Sequence, residues 1–193
     1  MARQHRSDPD GGIHHVMNRG VDRADIFTDD ADRRWFVRLL GEACVAAGVR
    51  VVAYCLVRNH FHLVLRCLNG GLSEAMWRLT AEYARVFNHR HERTDSLFGG
   101  RFKSKLVESD DYLVHLLRYV HRNPLDIGQR PDAWPWSSYP IYLGQGRAPE
   151  WMSVGDALVA TGGSAAHRAH VEAQLPADKR VFAAEEPADV FDT

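Results

Sequence analysis

The chain has 193 residues, 45% of them hydrophobic, 25% charged and 10% aromatic, the make-up of a globular domain rather than of a fibrous or disordered one. No stretch approaches the roughly 18 consecutive apolar residues of a membrane span. Met1 to Gly12 is polar and of mixed charge, without the apolar run of a signal peptide, so a cytoplasmic protein is expected. The cysteines (Cys44, Cys55 and Cys67) are odd in number, lack a close C-x-x-C pair and lie in apolar stretches, as reduced core thiols do. The net charge of −1 conceals an uneven distribution: from Glu150 onward there are eight acids against three Lys or Arg, which leaves 17 acids against 21 bases before it. A mildly basic body permits a nucleic-acid partner without requiring one.

In chain order, Ile13 to Asn18 reads as a short strand ended by Arg19-Gly20. Thr28-Asp29-Asp30 signals a helix N-terminus, followed by Trp35, Phe36, Leu39, Leu40 and Cys44 at helical spacing and a stop at Gly48. Val49 to Val57 is β-branched and apolar, a buried strand. Arg58-Asn59 turns the chain into a hairpin partner, His60 to Arg66. After Asn69-Gly70-Gly71 a helix is expected from Leu72 to His91, its apolar face running through Leu72, Met76, Leu79, Tyr83, Val86 and Phe87. Arg101 to Val107 alternates like a strand with one wet face. Ser109-Asp110-Asp111 caps a further helix with a stripe of Leu113, Leu116, Leu117 and Val120, stopped at Asn123-Pro124. The order β-α-β-β-α-β and then a helix is that of an α+β, ferredoxin-like antiparallel sheet with two helices on one face. The expected catalytic domain spans residues 12–145. Residues 146–193 form a C-terminal extension, with short helices between Val154 and Leu175 and a disordered acidic tail from Pro176.

Three groups of residues carry chemistry. On a strand, His60 and His62 share one face while Phe61 faces the other, so two imidazoles stand side by side as half of a metal site. Two surface histidines would give the same spacing. Tyr119 and Asn123, four apart on a helix, lie one turn from each other on one face. The tyrosine could attack a phosphodiester, and the amide could add an oxygen ligand to the same cation. A half-buried helix aromatic is the plainer account of Tyr119 alone. Arg101, Lys103 and Lys105 alternate on the expected fourth strand and suit a phosphate backbone, or simply a solvated face. Arg19, Arg118 and Arg122 could extend that patch.

Taken together, the motifs resemble those of the single-tyrosine HUH transposases of insertion sequences, and most closely the REP-associated tyrosine transposases. The likeness runs from about His14 to Tyr139. It rests on His15-Val16-Met17-Asn18-Arg19-Gly20, Arg58-Asn59-His60-Phe61-His62, Leu97-Phe98-Gly99-Gly100-Arg101-Phe102-Lys103, Tyr119-Val120-His121-Arg122-Asn123-Pro124 and Trp134-Pro135-Trp136-Ser137-Ser138. The resemblance implies an HUH endonuclease fold and a Mg²⁺ or Mn²⁺ ion held by His60, His62 and Asn123. It implies Tyr119 as the nucleophile, joined to the 5′ end of cut single-stranded DNA beside a hairpin or repeat, with no nucleotide cofactor. Asn123 stands where some relatives carry glutamine, and Tyr112, seven residues before Tyr119, lies on nearly the same helix face. Arg19, Arg101, Lys103, Lys105 and Arg122 are the expected DNA contacts, in a monomer or homodimer.

Other readings compete. RNA-recognition modules share the ferredoxin-like fold, but Gly100-Arg101-Phe102-Lys103 does not match their aromatic motif, and the central strand offers histidines instead of stacking rings. A zinc hydrolase finds no H-E-x-x-H and no cysteine cluster. A decayed transposase that only binds DNA would have lost a site residue, whereas His60, His62 and Tyr119 are all present.

Overall fold

A computed structural model of the chain describes residues 9–173; the acidic tail expected from Pro176 lies outside the described residues. Strands β1 (Ile13–Arg19), β2 (Val49–Leu56), β3 (His60–Cys67) and β4 (Lys103–Leu106) form one sheet in the order β2-β3-β1-β4. Every neighbouring pair is antiparallel. With helices α1 (Asp30–Ala46) and α2 (Leu72–Arg90) as the crossovers, this is the α+β, ferredoxin-like order read from the sequence. Helix α3 (Asp110–Arg122) follows β4.

The two sheet faces are buried by different helices, because side chains alternate along each strand. Phe61, Leu63, Leu65 and Val16 share a core with Phe36 and Leu40 of α1 and with Met76 and Tyr83 of α2. Val64 and Cys55 share the other core with Leu113, Leu116, Leu117 and Val120 of α3. A register shift between Val51 and Ala53 lets Val52 and Ala53 both join the α3 side, a bulge that breaks the alternation.

The caps behave as their residue types dictate. The Asp29 carboxylate accepts from the Ala31 and Asp32 amides to start α1, and Gly48, at φ +66°, follows its end. Ser109 Oγ accepts from the Tyr112 amide to start α3. The fourth strand is shorter than its alternation suggests. The chain from Phe98 to Gly100 is tied to the end of β1 by single bonds, Gly99 N–H to the Arg19 carbonyl and Asn18 Nδ2 to the Gly100 carbonyl. Phe102 turns into the α1–α2 core, so ladder pairing begins only at Lys103 and leaves Arg101 exposed.

Beyond Pro124 the chain wraps the free edge of β2. Leu56 N–H donates to the Trp136 carbonyl, Ser138 N–H to the Tyr54 carbonyl, and Trp134 Nε1–H to the Leu56 carbonyl. Farther on, Val51 N–H donates to the Trp151 carbonyl and Ser153 N–H returns to the Val51 carbonyl. Three short helices follow, α4 (Tyr139–Tyr142), α5 (Gly155–Ala160) and α6 (Ser164–Glu172), the last two where short helices were expected. Tyr139, Tyr142, Ala157 and Val171 bury against α3. His121 of α3 is fully buried, its Nδ1 2.8 Å from His167 Nε2 and its Nε2 2.9 Å from Ser138 Oγ. The three cysteines are buried and form no disulfide. No helix among the described residues is long and apolar enough to cross a membrane.

Candidate active site

Three rungs of the sheet build the site. Residues opposite each other in an antiparallel pair point to the same face. Arg19 pairs with His60; Met17 pairs with both His62 and Lys103; His15 pairs with both Val64 and Lys105. The α3 face therefore carries His60, His62, His15, Arg19, Lys103 and Lys105 together. Arg101 lies outside the ladder and is exposed, so the alternating basic row reduces to two lysines with Arg19 beside them.

Helix α3 brings the tyrosine to this face. Its leucine stripe binds the sheet, and Tyr119 and Asn123 lie one turn apart along the stripe's flank. The Tyr119 ring stands edge-on to His62, with centroids 5.1 Å apart, and edge-on to His15 at 6.1 Å. Tyr112, two turns earlier, lies under the Lys105 ammonium, 4.9 Å from its ring centre. The structure thus brings Tyr119 to the histidines and sets Tyr112 against β4. Asn123 begins a 3-10 turn that runs to Ile127, and Pro124, lacking an N–H, fits the change of helix type. The Asn123 side chain is buried, with Oδ1 3.1 Å from His60 Nε2.

The imidazoles form a chain. His60 and His62 stand perpendicular with centroids 5.0 Å apart, and the His15 ring, inclined 23° to that of His62, has its centroid 5.2 Å away. His62 Nδ1 lies 2.9 Å from His15 Nε2, and His60 Nδ1 lies 2.8 Å from Asn59 Oδ1. Burial, reinforced by the nearby Arg19 charge, pushes His60 down to about 4. Burial, with His60, His15 and Arg19 adding to it, holds His62 well below the usual imidazole range. Both rings are therefore neutral at neutral pH and offer lone pairs. Among the described residues no three His, Cys, Asp or Glu side chains group as metal ligands, so a cation here would depend on two imidazoles and one amide oxygen. That donor set suits a divalent ion. His62 Nε2 is buried without a hydrogen-bond partner, the state expected of a nitrogen awaiting a ligand.

The remaining expected residue takes a different place. Arg122 donates from Nη1 to the Val171 and Ala173 carbonyls at 2.5 and 3.1 Å, and buried Arg118 donates to the Ala173 carbonyl at 2.7 Å. Both arginines hold the end of α6 against α3. Sequence reasoning missed His15 as a member of the cluster, although alternation along β1 puts His15, Met17 and Arg19 on one face. It also gave Asn59 no role at the site, reading it as a turn residue within the Arg58-Asn59-His60-Phe61-His62 motif.

The model described as "Transposase IS200 like" matches residues 11–123. No curated protein sequence matches the chain. Among solved structures, a REP-associated tyrosine transposase bound to a REP hairpin superposes with a TM-score of 0.60 at 17% identity, over 79% of this chain and 92% of that one. At that identity the likeness speaks for the HUH fold. A candidate transposase from Deinococcus radiodurans R1 matches with a TM-score of 0.43 at 14% identity, over 57% of this chain and 88% of that one, too slight to carry an argument.

Proposed function

Because the chain belongs to the IS200-like transposases, a family of DNA-processing enzymes, we propose that it cuts and rejoins single-stranded DNA beside a hairpin, with Tyr119 as nucleophile. The observation that carries this reading is the seat of the Tyr119 ring against His62, with Asn123 one turn on at His60. The solved relative's REP hairpin supports a folded repeat as the substrate. The catalytic unit is residues 12–145, and the extension from residue 146 braces α3 through α5 and α6.

Tyr119 Oη attacks the scissile phosphorus; the new P–Oη bond forms as the bond to the 3′ oxygen breaks. The phenolic proton is released and the departing 3′ oxygen takes one up, leaving a 3′-hydroxyl and a 5′-phosphotyrosine. Another strand's 3′-hydroxyl reverses the step, so the phosphodiester is conserved and no nucleotide cofactor is consumed. A Mg²⁺ or Mn²⁺ ion held by His60, His62 and Asn123 would supply Lewis-acid polarisation of a phosphate oxygen. Arg19, Lys103 and Lys105 share the face of the attacking ring and offset backbone charge, and exposed Arg101 meets the strand farther out. Arg122 is left out of this path, since its guanidinium serves α6.

The test is a denaturing gel of the protein with labelled hairpin oligonucleotides taken from repeats flanking the gene, with and without Mn²⁺. A cation-dependent covalent adduct that disappears in Tyr119→Phe is expected. Tight binding with no adduct under any cation would replace this reading with that of a DNA-binding protein or a decayed enzyme.

A further inference from the structure

Resting on the cation reading above, we propose that Asn59 and His15 are positioning residues that fix the ring tautomers of His60 and His62, so that both Nε2 lone pairs face the ligand side. A neutral imidazole carries one N–H, and the partner of one nitrogen decides which nitrogen stays bare.

For His60 the partner's own orientation is fixed. Asn59 Nδ2 donates to the Arg23 carbonyl at 3.1 Å, which leaves Oδ1 facing the ring. A carbonyl oxygen only accepts, so His60 Nδ1 holds the proton and Nε2 presents its lone pair towards Asn123. His60 Nε2 and Asn123 Oδ1 lie 3.1 Å apart, near enough for one cation to take both as ligands. The loop before α1 exists in the shape this requires. Asp22 and Arg23 adopt left-handed backbone at φ +51° and +59°, a conformation uncommon for these residue types. Gly20 N–H donates to the Asn59 carbonyl, and the Ile26 and Phe27 amides donate to the Arg58 carbonyl. The loop is therefore moulded on the Arg58–Asn59 turn and aims the Arg23 carbonyl at the Asn59 amide.

For His62 the argument runs from the orphan. Its Nε2 is buried with no partner in either tautomer, which is costly unless something binds there. Only the Nδ1–H tautomer leaves a lone pair that a cation can use. In that tautomer His15 Nε2, 2.9 Å away in a ring inclined only 23° to the His62 plane, is the acceptor that holds the proton in place. Both histidines are thus held from behind, one by an amide and one by a ring, as outer partners commonly orient metal ligands.

The experiment pairs variants that remove the acceptor with variants that keep one: Asn59→Leu against Asn59→Asp, and His15→Phe against His15→Gln. Mn²⁺ affinity of the metal-free protein is read by electron paramagnetic resonance, and the His60 and His62 tautomers by nitrogen-detected NMR of labelled imidazoles. Asn59→Leu and His15→Phe are expected to weaken Mn²⁺ binding about 10- to 100-fold, with loss of the single Nδ1–H tautomer. Asn59→Asp and His15→Gln should stay within a few-fold of the parent. Equal Mn²⁺ affinity in the parent, Asn59→Leu and His15→Phe would overturn the inference alone. So would equal losses in both members of each pair. A parent chain that takes up no Mn²⁺ would overturn the cation reading and this inference with it.

Discussion

Acid should unfold this protein well before its carboxylates are protonated. Four buried imidazoles are held neutral: His60 and His167 are pushed down to about 4, chiefly by burial, and His62 and His121 lie well below the usual range for the same reason. The unfolded chain protonates near 6.5, so below that pH it binds protons that the native state refuses. Stability then falls as pH falls, beginning near 6.5 and continuing towards 4. His60 and His167 each cost about 2 kcal/mol between pH 7.5 and 5, from 1.5 pH units at about 1.36 kcal/mol each. Together these two approach about 4 kcal/mol, a large part of the stability of an ordinary domain, and His62 and His121 add to the loss in the same direction. The depressed carboxylates Asp29 and Asp32 contribute stability that is intact throughout this window, since it is lost only below about 4. Urea unfolding in EDTA at pH 7.5 and 5.0 measures the drop. His167→Gln, which can still hydrogen-bond His121 but does not titrate, should recover about 2 kcal/mol of it. Equal urea midpoints at the two pH values, or an undiminished drop in His167→Gln, would refute the reasoning.

Other outcomes follow from single contacts. A Cβ on Gly20 would lie 2.1 Å from the Ala24 carbonyl oxygen, so Gly20→Ala should cost about 1–3 kcal/mol in urea unfolding, as overpacking does. Ser138 Oγ accepts from the Tyr54 amide and bonds His121 Nε2, so Ser138→Ala strands buried partners and should cost about 1–3 kcal/mol by the same assay. Hairpin-DNA binding should weaken steeply with salt, and Lys103→Ala or Lys105→Ala should each flatten the log–log slope by about 0.7, the single-strand value per phosphate. A slope unchanged in both variants would remove these lysines from the DNA path.

The order of the first seven elements was legible because each announces itself locally. A β-branched apolar run marks β2, the Arg58-Asn59 turn marks its hairpin with β3, and leucines spaced three and four apart mark α3, with Asp29 and Ser109 as caps that the structure uses as such. The shared face of His60 and His62 follows from alternation alone, and the single turn between Tyr119 and Asn123 from helical pitch. What remained hidden depends on pairing register. That His15 reaches His62 requires knowing that β1 lies beside β3, offset so that His15 meets Val64. Arg122 looked like a free surface cation because nothing local shows that α6 ends beside it. The start of β4 was misjudged because the periodicity of Arg101 to Lys105 carries no sign that Phe98 to Gly100 is tied to the end of β1.

The wrapping of β2 by residues 134–153 has a practical consequence for anyone trimming this protein. The family match ends at residue 123, and a chain cut there would keep every residue of the proposed active site yet shed the backbone partners of Val51, Tyr54 and Leu56. It would also bare Val52, Cys55 and Val64, now covered in part by Tyr139, Tyr142 and Val171. A long apolar strand with unpaired amides is a template for its own kind. Such a shortened chain is expected to pair with its copies along this edge, whereas the basic, four-residue strand at the opposite margin, Lys103–Leu106, gives an intruder little to hold.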